Sequence, residues 1–349
     1  MMAIGLDVHK VRTTVACLNL ETQEMGRPYS VPTDQLARHL SELPGDKRMV
    51  LEAGSTSVFV ARELESCGLD VIVVDAFKAH RLLEGRRGAK TDKLDAQGLA
   101  WLLGGRLLEH AQVWVCDEAT HQLRELTRTR EKLTRVNVIV RNLIRKFLGR
   151  QGANCPYRDL SGAAAQAWLD QLVAQLPEPL QAALSALCAT LQALAAQLKQ
   201  LEQALTRVAP QHPQVALVQS IPGFGPQLAA AVVAEIGDHR RFPSASHLRS
   251  YSGLVPRVYQ SGEQQHTGPL VPHGNRHLRW ALVLAAQNFA RSRQTRELSL
   301  LSWYRQQVYS HGPNPAKVAL ARRLLNIIFA MLRDGTSFDP ARYASTPAA

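Results

Sequence analysis

Four acidic residues are the strongest candidates for chemistry in this 349-residue sequence. Asp92 and Asp95 stand three positions apart in "KTDKLDA", while Asp7 and Glu52 lie in or at the end of apolar runs. Like charges at i and i+3 of a helix are destabilising unless a cation lies between them. Four carboxylates would form an all-oxygen site suited to Mg²⁺ or Mn²⁺. One or two such ions support phosphoryl transfer at a phosphodiester.

Structural explanations of the same acids stay open at this point. Asp7 and Glu52 could be strand-end residues in loops, and Asp92 and Asp95 could be solvated or could complement the dipole of a helix N-terminus. Lys90 and Lys93 lie beside the pair in sequence and could neutralise it. The acids alone therefore indicate a metal site without excluding these roles.

An α/β region must position these acids. The runs "MAIGLDVHK", "TTVACLNLE", "RMVLEAG" and "DVIVVDA" predict strands, and "TDQLARHLSEL" and "SVFVARELESCG" predict helices between them. Strands that alternate with helices predict a layered sheet with helices on its faces. Asp7 then lies in the first strand, Glu52 ends a later strand, and Asp92 and Asp95 share one face of a helix.

The charge of the chain points to a polyanionic partner. The formal net charge is +12, and the excess is concentrated in two blocks. Residues 124–150 hold 9 basic and 2 acidic residues, and residues 240–349 hold 15 and 4. Such blocks are typical of surfaces that bind nucleic acid.

Cysteine spacing and hydropathy exclude several other classes of protein. The five cysteines stand singly, without the spacing of a zinc site or a disulfide framework, which favours a reducing cytosol. The N-terminus carries no apolar signal segment, and no apolar run approaches the roughly 18 residues of a membrane span. The sequence therefore predicts neither a secreted nor a membrane protein.

Residues 120–150 predict one long basic helix. Its apolar stripe comprises Leu123, Leu126, Leu133, Val136, Val140 and Leu143. Its other faces carry Arg124, Arg128, Arg135, Arg141 and Arg145. A cationic ladder of this kind suits a phosphate backbone, although a solvated amphipathic helix would show the same pattern.

A leucine heptad follows the basic helix. The seam alternates spacings of four and three over four heptads, through Leu180, Leu184, Leu187, Leu191, Leu194, Leu198, Leu201, Leu205 and Val208. We interpret it as an intermolecular coiled coil that gives at least a dimer. The alternative is an antiparallel hairpin packed on a neighbouring helix of the same chain.

Two further motifs lie in the C-terminal third. "IPGFGPQLAAAVVAEIGD" is typical of a helix-hairpin-helix element, in which Gly223 and Gly225 let the backbone approach a phosphate, although any tight turn between helices can use glycine. Ser261 lies in "QSGEQ", ahead of a basic helix with Arg276 and Arg279. A serine hydroxyl is a poor nucleophile unless it is activated, so Ser261 taken alone indicates a turn.

The combination resembles a known family. "GLDVHK", "LEAGS", "KTDKLDA", "IPGFGP", "SYSGLVPRVYQSG" and "HGNRHLRWAL" occur in the order found in the insertion-sequence one-ten (IS110) family of transposases, relatives of the Piv-type DNA invertases. The resemblance covers nearly the whole chain. It implies an α/β RNase H-like (RuvC-like) domain over 1–118, a basic helix and coiled-coil region over 119–210, and a mostly α transposase domain with a helix-hairpin-helix over 211–349.

The resemblance also implies roles for individual residues. The family's DEDD tetrad corresponds to Asp7, Glu52, Asp92 and Asp95, and its nucleophilic serine corresponds to Ser261. Many relatives have a Ser-Ser-Gly-Gly run where this chain has "QSGE", so Ser261 is the only candidate in the motif. Ser261 would attack a phosphodiester to give a 5′-phosphoserine, while tetrad-bound Mg²⁺, as a single ion or a pair, polarises the phosphate and stabilises the leaving 3′-oxygen.

The partners implied by the family are nucleic acids and further copies of the chain. A structured guide (bridge) RNA would pair with donor and target DNA in the bacterial cytosol or nucleoid. The protein would act as a dimer, and as a tetramer in the synaptic complex. Lys10, Lys90, Arg276 and Arg279 are candidates to contact the scissile phosphate. A hydrolytic structure-specific nuclease that uses the same acids, and a non-catalytic nucleic-acid-binding scaffold, are the alternatives.

Overall fold

The computed structural model describes residues 1–83, 91–261 and 264–343. The chain divides into two compact units, Met1–Cys116 and Asp117–Ala349. The first unit is a mixed α/β layer structure, and the second is mostly helical.

The described part of the first unit contains one mixed sheet with helices on its faces, as the sequence predicts. The strands are β1 (Met2–Val8), β2 (Arg12–Asn19), β3 (Tyr29–Pro32), β4 (Lys47–Glu52), β5 (Asp70–Val74) and β6 (Gln112–Val113). The helices are α1 (Leu36–Glu42), α2 (Ser57–Ser66), α3 (Ala76–Leu83) and α4 (Asp92–Gly104). The strand order is β3-β2-β1-β4-β5-β6. β1, β4 and β5 are parallel, and the other pairings are antiparallel.

The two faces of the central strands have different neighbours. Ile4 and Leu6 of β1 pack with Met49 and Leu51 of β4 in a core that also contains residues of α1 and α2. Successive side chains of a strand point to opposite faces, so Gly5 lies on the other face. That face is covered by α4.

Glycine at position 5 allows α4 to approach β1 closely. A Cβ atom at Gly5 would lie 2.0 Å from the carbonyl oxygen of Ala96 and 2.6 Å from the amide nitrogen of Ala100. Ala3 shares a small core with Ala100 and Leu103. The helix therefore runs antiparallel to β1, and its N-terminus lies beside the carboxyl end of that strand.

The second unit is built from long helices and one described β-hairpin. The helices are α5 (Glu118–Arg150), α6 (Ala163–Gln175), α7 (Glu178–Val208), α8 (Pro213–Gln219), α9 (Pro226–Ile236), α10 (Ala245–Ser252), α11 (Arg276–Arg291), α12 (Ser299–His311) and α13 (Pro313–Asp334). The strands β7 (Pro256–Ser261) and β8 (Gln264–Leu270) pair antiparallel. The main core combines residues of α8, α9, α11 and α13.

The predicted basic helix is confirmed as α5, but its buried stripe differs from the prediction. Val136 and Leu143 are 41% and 45% exposed. Val140 of the predicted stripe is buried, and the other buried residues beside it are Ile144 and Leu148, because this is the face that packs against α7. The predicted stripe combined residues of two neighbouring faces.

The heptad seam of α7 packs against α5 of the same chain. Leu184 and Leu191 are buried in a core with Ile144 of α5, and Arg130 pairs with Glu202 at 2.6 Å. The start of α5 therefore meets the end of α7, so the two helices are antiparallel. This is the hairpin that the sequence left as the alternative, and the intermolecular coiled coil is not confirmed.

The end of the hairpin nearest the main core is well anchored. Leu123 of α5 and Leu205 of α7 are both buried there.

By length and apolar composition alone, Glu178–Gln211 would also suffice to cross a membrane. In this chain the buried leucines of that segment contact α5.

We expect Gly5→Ala to destabilise the first unit by about 3 kcal/mol, the upper end of the usual cost of overpacking, because a methyl group would collide with the backbone of α4. Thermal unfolding followed by circular dichroism measures the change. Gly54→Ala is the matched control, since nothing lies within 4 Å of a Cβ atom there. Equal melting temperatures for both variants would contradict the close approach.

Candidate metal-binding active site

The fold brings the predicted acids together at the carboxyl ends of the central strands β1 and β4. Leu6 pairs with Leu51 in the parallel register of β1 and β4, so the residues that follow, Asp7 and Glu52, are neighbours on the same face. This is the face that α4 covers, and α4 begins beside the carboxyl end of β1. Asp7, Glu52 and the first turn of α4 therefore converge.

A capped N-terminus fixes the position of the aspartate pair. The amide of Leu94 donates a hydrogen bond of 3.3 Å to Oγ1 of Thr91, the N-cap of α4. Asp92 and Asp95 both fall in the first turn. Their charges also complement the positive end of the helix dipole, the role that the sequence left open.

A histidine joins the cluster. Nε2 of His9 lies 3.3 Å from Oδ2 of Asp7 and 3.6 Å from Oδ2 of Asp92. One ligand atom from each of the three residues lies within 4.8 Å of the others. Asp7 is 23% exposed, whereas His9 and Asp92 are 59% and 66% exposed, so a ligand from solvent can reach the cluster.

The electrostatics of Asp7 show that negative charge is crowded here. Burial raises the pKa of Asp7, the charge of His9 lowers that pKa, and the charges of Asp92 and Asp95 raise it again. Asp95 is thus within electrostatic reach of Asp7 as well. A bound cation would relieve this repulsion.

The donor set fits a divalent cation. Carboxylate oxygens suit Mg²⁺ and Mn²⁺, and an imidazole nitrogen extends the range to transition metals. His9 is the residue that sequence reasoning missed. The available signal was the spacing "DVH", because residues i and i+2 of an extended segment lie on the same side.

The structure describes the remaining predicted residues to different extents. Lys10 is exposed beside His9. Lys90 lies outside the described residues. Ser261 is the last residue of β7 and pairs with Gln264, but the placement of its side chain lies outside the described part. Ser252 is fully buried, and its hydroxyl donates to the carbonyl of Arg249 at 2.7 Å.

Two arginines of the predicted cationic ladder bind groups within the protein. Glu235 of α9, only 1% exposed, accepts hydrogen bonds of 2.6 and 2.8 Å from Nε and Nη2 of Arg128. Arg124, 12% exposed, donates to the carbonyl of Ala234 at 2.9 Å. Asn275 donates a further hydrogen bond of 2.6 Å to Glu235. These contacts join α5 to α9 and α11.

The other three arginines of the ladder are more accessible. Arg135 pairs with Glu131 but remains 60% exposed, and Arg141 pairs with Asp159 at 3.0 Å. Arg145 is exposed. Their contact with nucleic acid stays a prediction.

The glycine turn between α8 and α9 has a packing role. Gly223 has a φ of +93°, and a Cβ atom there would lie 2.4 Å from the amide nitrogen of Phe289. Gly225 is the N-cap residue of α9. Close packing against α11 thus explains Gly223, while phosphate binding by this turn stays a prediction.

Arg279 holds the base of the β7–β8 hairpin. It donates hydrogen bonds to the carbonyl oxygens of Ser252, Val271 and His273, at 3.2, 3.1 and 2.9 Å. Burial and the charge of Arg276 lower the pKa of Arg279. Arg276 itself is exposed at the first position of α11. Arg276 is thus the more accessible of the two, and Arg279 is engaged with backbone carbonyls.

Comparisons with known proteins identify relatives across the chain. A family model described as "Transposase IS116/IS110/IS902 family" matches residues 215–300, and the DEDD_Tnp_IS110 model, described as "Transposase", matches residues 4–151. A probable family 20 transposase of Pseudomonas aeruginosa is 27% identical over 84% of this chain and 86% of its own length. A transposase for insertion sequence element IS1111A of Coxiella burnetii is 34% identical over 38% of this chain and 36% of its own length. A pilin gene-inverting protein of Moraxella bovis is 32% identical over 36% of this chain and 39% of its own length.

We expect Asp92→Asn to weaken binding of Mn²⁺ by at least about tenfold. Even the loss of a group that only hydrogen-bonds to a metal ligand usually weakens metal binding by about this factor. His9→Ala should weaken Mn²⁺ more than Mg²⁺, because imidazole favours transition metals. Isothermal titration calorimetry measures both affinities. Asp34→Asn, which removes an exposed charge of the same unit, is the control. Equal affinities for Asp92→Asn and Asp34→Asn would argue against the site.

The Glu235 pair predicts a dependence of stability on pH. Burial alone would raise the pKa of Glu235, but Arg128, with Asn275 and Arg124, holds that pKa below its usual 4.5. The pair therefore stabilises the fold above about pH 4.5, and this stability is lost as the pH falls through the folded pKa.

We expect Glu235→Gln to lower the free energy of unfolding at pH 7 by about 3 kcal/mol, because it leaves Arg128 without its counter-charge. Its stability should also depend less on pH below 4.5. Chemical denaturation at pH 7 and pH 4 measures both effects. Glu202→Gln, which removes the half-exposed partner of Arg130, should cost less than about 1 kcal/mol. An equal loss in the two variants would refute the special role of Glu235.

Proposed function

Because the chain belongs to the IS110 family of DNA transposases and recombinases, we propose that it is an RNA-guided recombinase. It cuts and rejoins the DNA of an insertion sequence through a 5′-phosphoserine formed at Ser261. The first unit is RNase H-like in this proposal and supplies a DEDD metal site.

One observation carries the proposal. Oxygen and nitrogen atoms of Asp7, His9 and Asp92 lie within 4.8 Å of one another at the carboxyl ends of parallel strands. Glu52 and Asp95 lie beside them, on β4 and α4. This arrangement suits a cation-dependent reaction of a phosphodiester.

The residues have distinct tasks in the reaction. Asp7, Glu52, Asp92 and Asp95, with His9, would hold Mg²⁺ or Mn²⁺, which supplies charge neutralisation at the phosphate and stabilisation of the leaving oxygen. The hydroxyl of Ser261 loses its proton and attacks phosphorus, the P–O3′ bond breaks, and the 3′-oxygen takes up a proton. The new ester conserves the energy of the phosphodiester, so the 3′-hydroxyl of another strand can displace the serine without ATP.

The proposed nucleic-acid partners are donor DNA, target DNA and a guide RNA. The net charge of +12 supports polyanion binding. Arg135, Arg145 and Arg276 are exposed and remain candidates to contact phosphates. Arg124, Arg128 and Arg279 are engaged within the protein and are weaker candidates.

Further copies of the chain are the remaining proposed partner. The α7 seam packs internally, so it does not by itself support a dimer. Val136, Ile139 and Leu143 form a second apolar stripe on α5, and they are 41–57% exposed. Their spacing of three and four suits contact with another helix. This stripe supports a homodimer, while the tetramer in the synaptic complex stays a prediction from the family resemblance.

The test is an incubation of the protein with Mg²⁺, its flanking noncoding RNA, and donor and target DNA, resolved on a denaturing gel. We expect a covalent protein–DNA adduct. It should fall by at least about 10³-fold in Ser261→Ala, since loss of a nucleophile removes the covalent route, and it should also be lost in Asp92→Ala. Ser246→Ala, an exposed serine of α10, should leave the adduct unchanged.

The alternatives give different products. Free cleaved ends that persist in Ser261→Ala would replace the proposal with a hydrolytic nuclease that uses the same acids. An adduct that forms equally well without the noncoding RNA would remove RNA guidance from the proposal.

A further inference from the structure

Two arginines of the second unit face each other across a helix pair. Arg249 on α10 donates a hydrogen bond of 3.1 Å from Nη1 to Oδ1 of Asn326 on α13. Arg322 precedes Asn326 by four residues, so the two lie on the same face of α13. The hydrogen bond therefore brings the guanidinium of Arg249 beside Arg322.

Arg322 lacks the partners that its neighbours have. Its Nε atom is buried and has no hydrogen-bond partner within the described residues. Elsewhere on the same helix, Arg323 stacks on Trp303 at 3.7 Å, and Arg333 pairs with Asp334 at 2.7 Å. Arg322 is thus a half-buried cation, and its buried Nε–H is not used by the part of the chain that the structure describes.

The surroundings of Arg322 are electrostatically unfavourable. Burial lowers the pKa of Arg322, and the charge of Arg249 lowers it further. In the described part of the chain, neither arginine forms an ion pair with a carboxylate. The fold therefore holds two like charges together without compensation.

We propose that Arg249 and Arg322 form a binding site for a backbone phosphate of nucleic acid. Two guanidinium groups present planar sets of donors that match phosphate oxygens, and Asn326 orients one of them. Both side chains are partly exposed, so a phosphate can reach them from solvent.

A phosphodiester chain is the anion that the surroundings favour. Residues 240–349 hold 15 basic and 4 acidic residues, so the site lies in a region that attracts an extended polyanion. DNA and RNA present the same phosphate chemistry, and the experiment separates them. The proposal rests on nucleic-acid binding from the proposed function, but not on Ser261 or the metal site.

The test measures affinity by fluorescence anisotropy, with EDTA present so that no metal-dependent step contributes. One arm uses a labelled donor duplex, and the other uses the labelled noncoding RNA, each over a range of salt concentrations. We expect Arg322→Gln and Arg249→Gln each to weaken binding about 3- to 10-fold in one arm. The slope of log affinity against log salt should fall by about 0.9 for duplex DNA, or about 0.7 for a single strand, per lost phosphate contact.

Controls separate this role from a structural one. Arg322→Lys keeps the charge and should keep most of the salt slope, and Arg333→Gln, on the same helix but already paired, should leave affinity and slope unchanged. Without nucleic acid, Arg322→Gln should melt at the same temperature as the wild type or higher, because a repulsion is removed. A structural arginine would instead lower the melting temperature.

The outcomes are decisive for the pair. A loss of affinity for the duplex assigns the phosphate to DNA, and a loss of affinity for the noncoding RNA assigns it to RNA. Unchanged affinity and slope in both arms, or a lowered melting temperature with unchanged affinity, would overturn the site. Binding and adduct formation are measured separately, so failure of the serine chemistry leaves this result intact.

Discussion

The contact between the backbone of α4 and Gly5 is the constraint on which the candidate active site depends. A helix usually packs on a sheet through the side chains of both elements. Here the carbonyl of Ala96 and the amide of Ala100 lie where the side chain of residue 5 would begin. This close approach sets the depth and register of α4 against β1. Asp92 and Asp95 can meet Asp7 only because of it.

The second unit depends on a different kind of interaction. Glu235 is almost completely buried, and it is neutralised by arginines that lie more than one hundred residues earlier in the chain. Removing such a charge from water is costly unless several donors surround it. Arg128 and Asn275 supply these donors, with the charge of Arg124 beside them. The same carboxylate therefore orients α5, α9 and the start of α11, which follows the hairpin that bears Ser261.

Local patterns predicted most elements of the chain. The alternating strands, the long helix α5 and the helix that carries Asp92 and Asp95 are visible in sequence because each depends on near neighbours. Partners distant in sequence were not visible. A heptad gives the spacing of the α7 seam but not whether its partner belongs to the same chain, and charge counts do not show that Arg124 and Arg128 turn inward to Glu235. His9 differs from these cases, because its spacing from Asp7 is visible in the sequence, whereas its approach to Asp92 depends on the position of α4.

The antiparallel pairing of α5 and α7 forms a helical arm, and this pairing has a consequence for the length of the arm. The chain leaves the main core along α5 and returns to it along α7, and Leu123 and Leu205 are buried together at this end of the helix pair. The residues farther from the main core form a core of their own. Insertion or deletion of one heptad in each helix would preserve both anchoring ends and move the tip by about 10 Å. The reach of the arm can therefore change during evolution while the anchoring core stays in place.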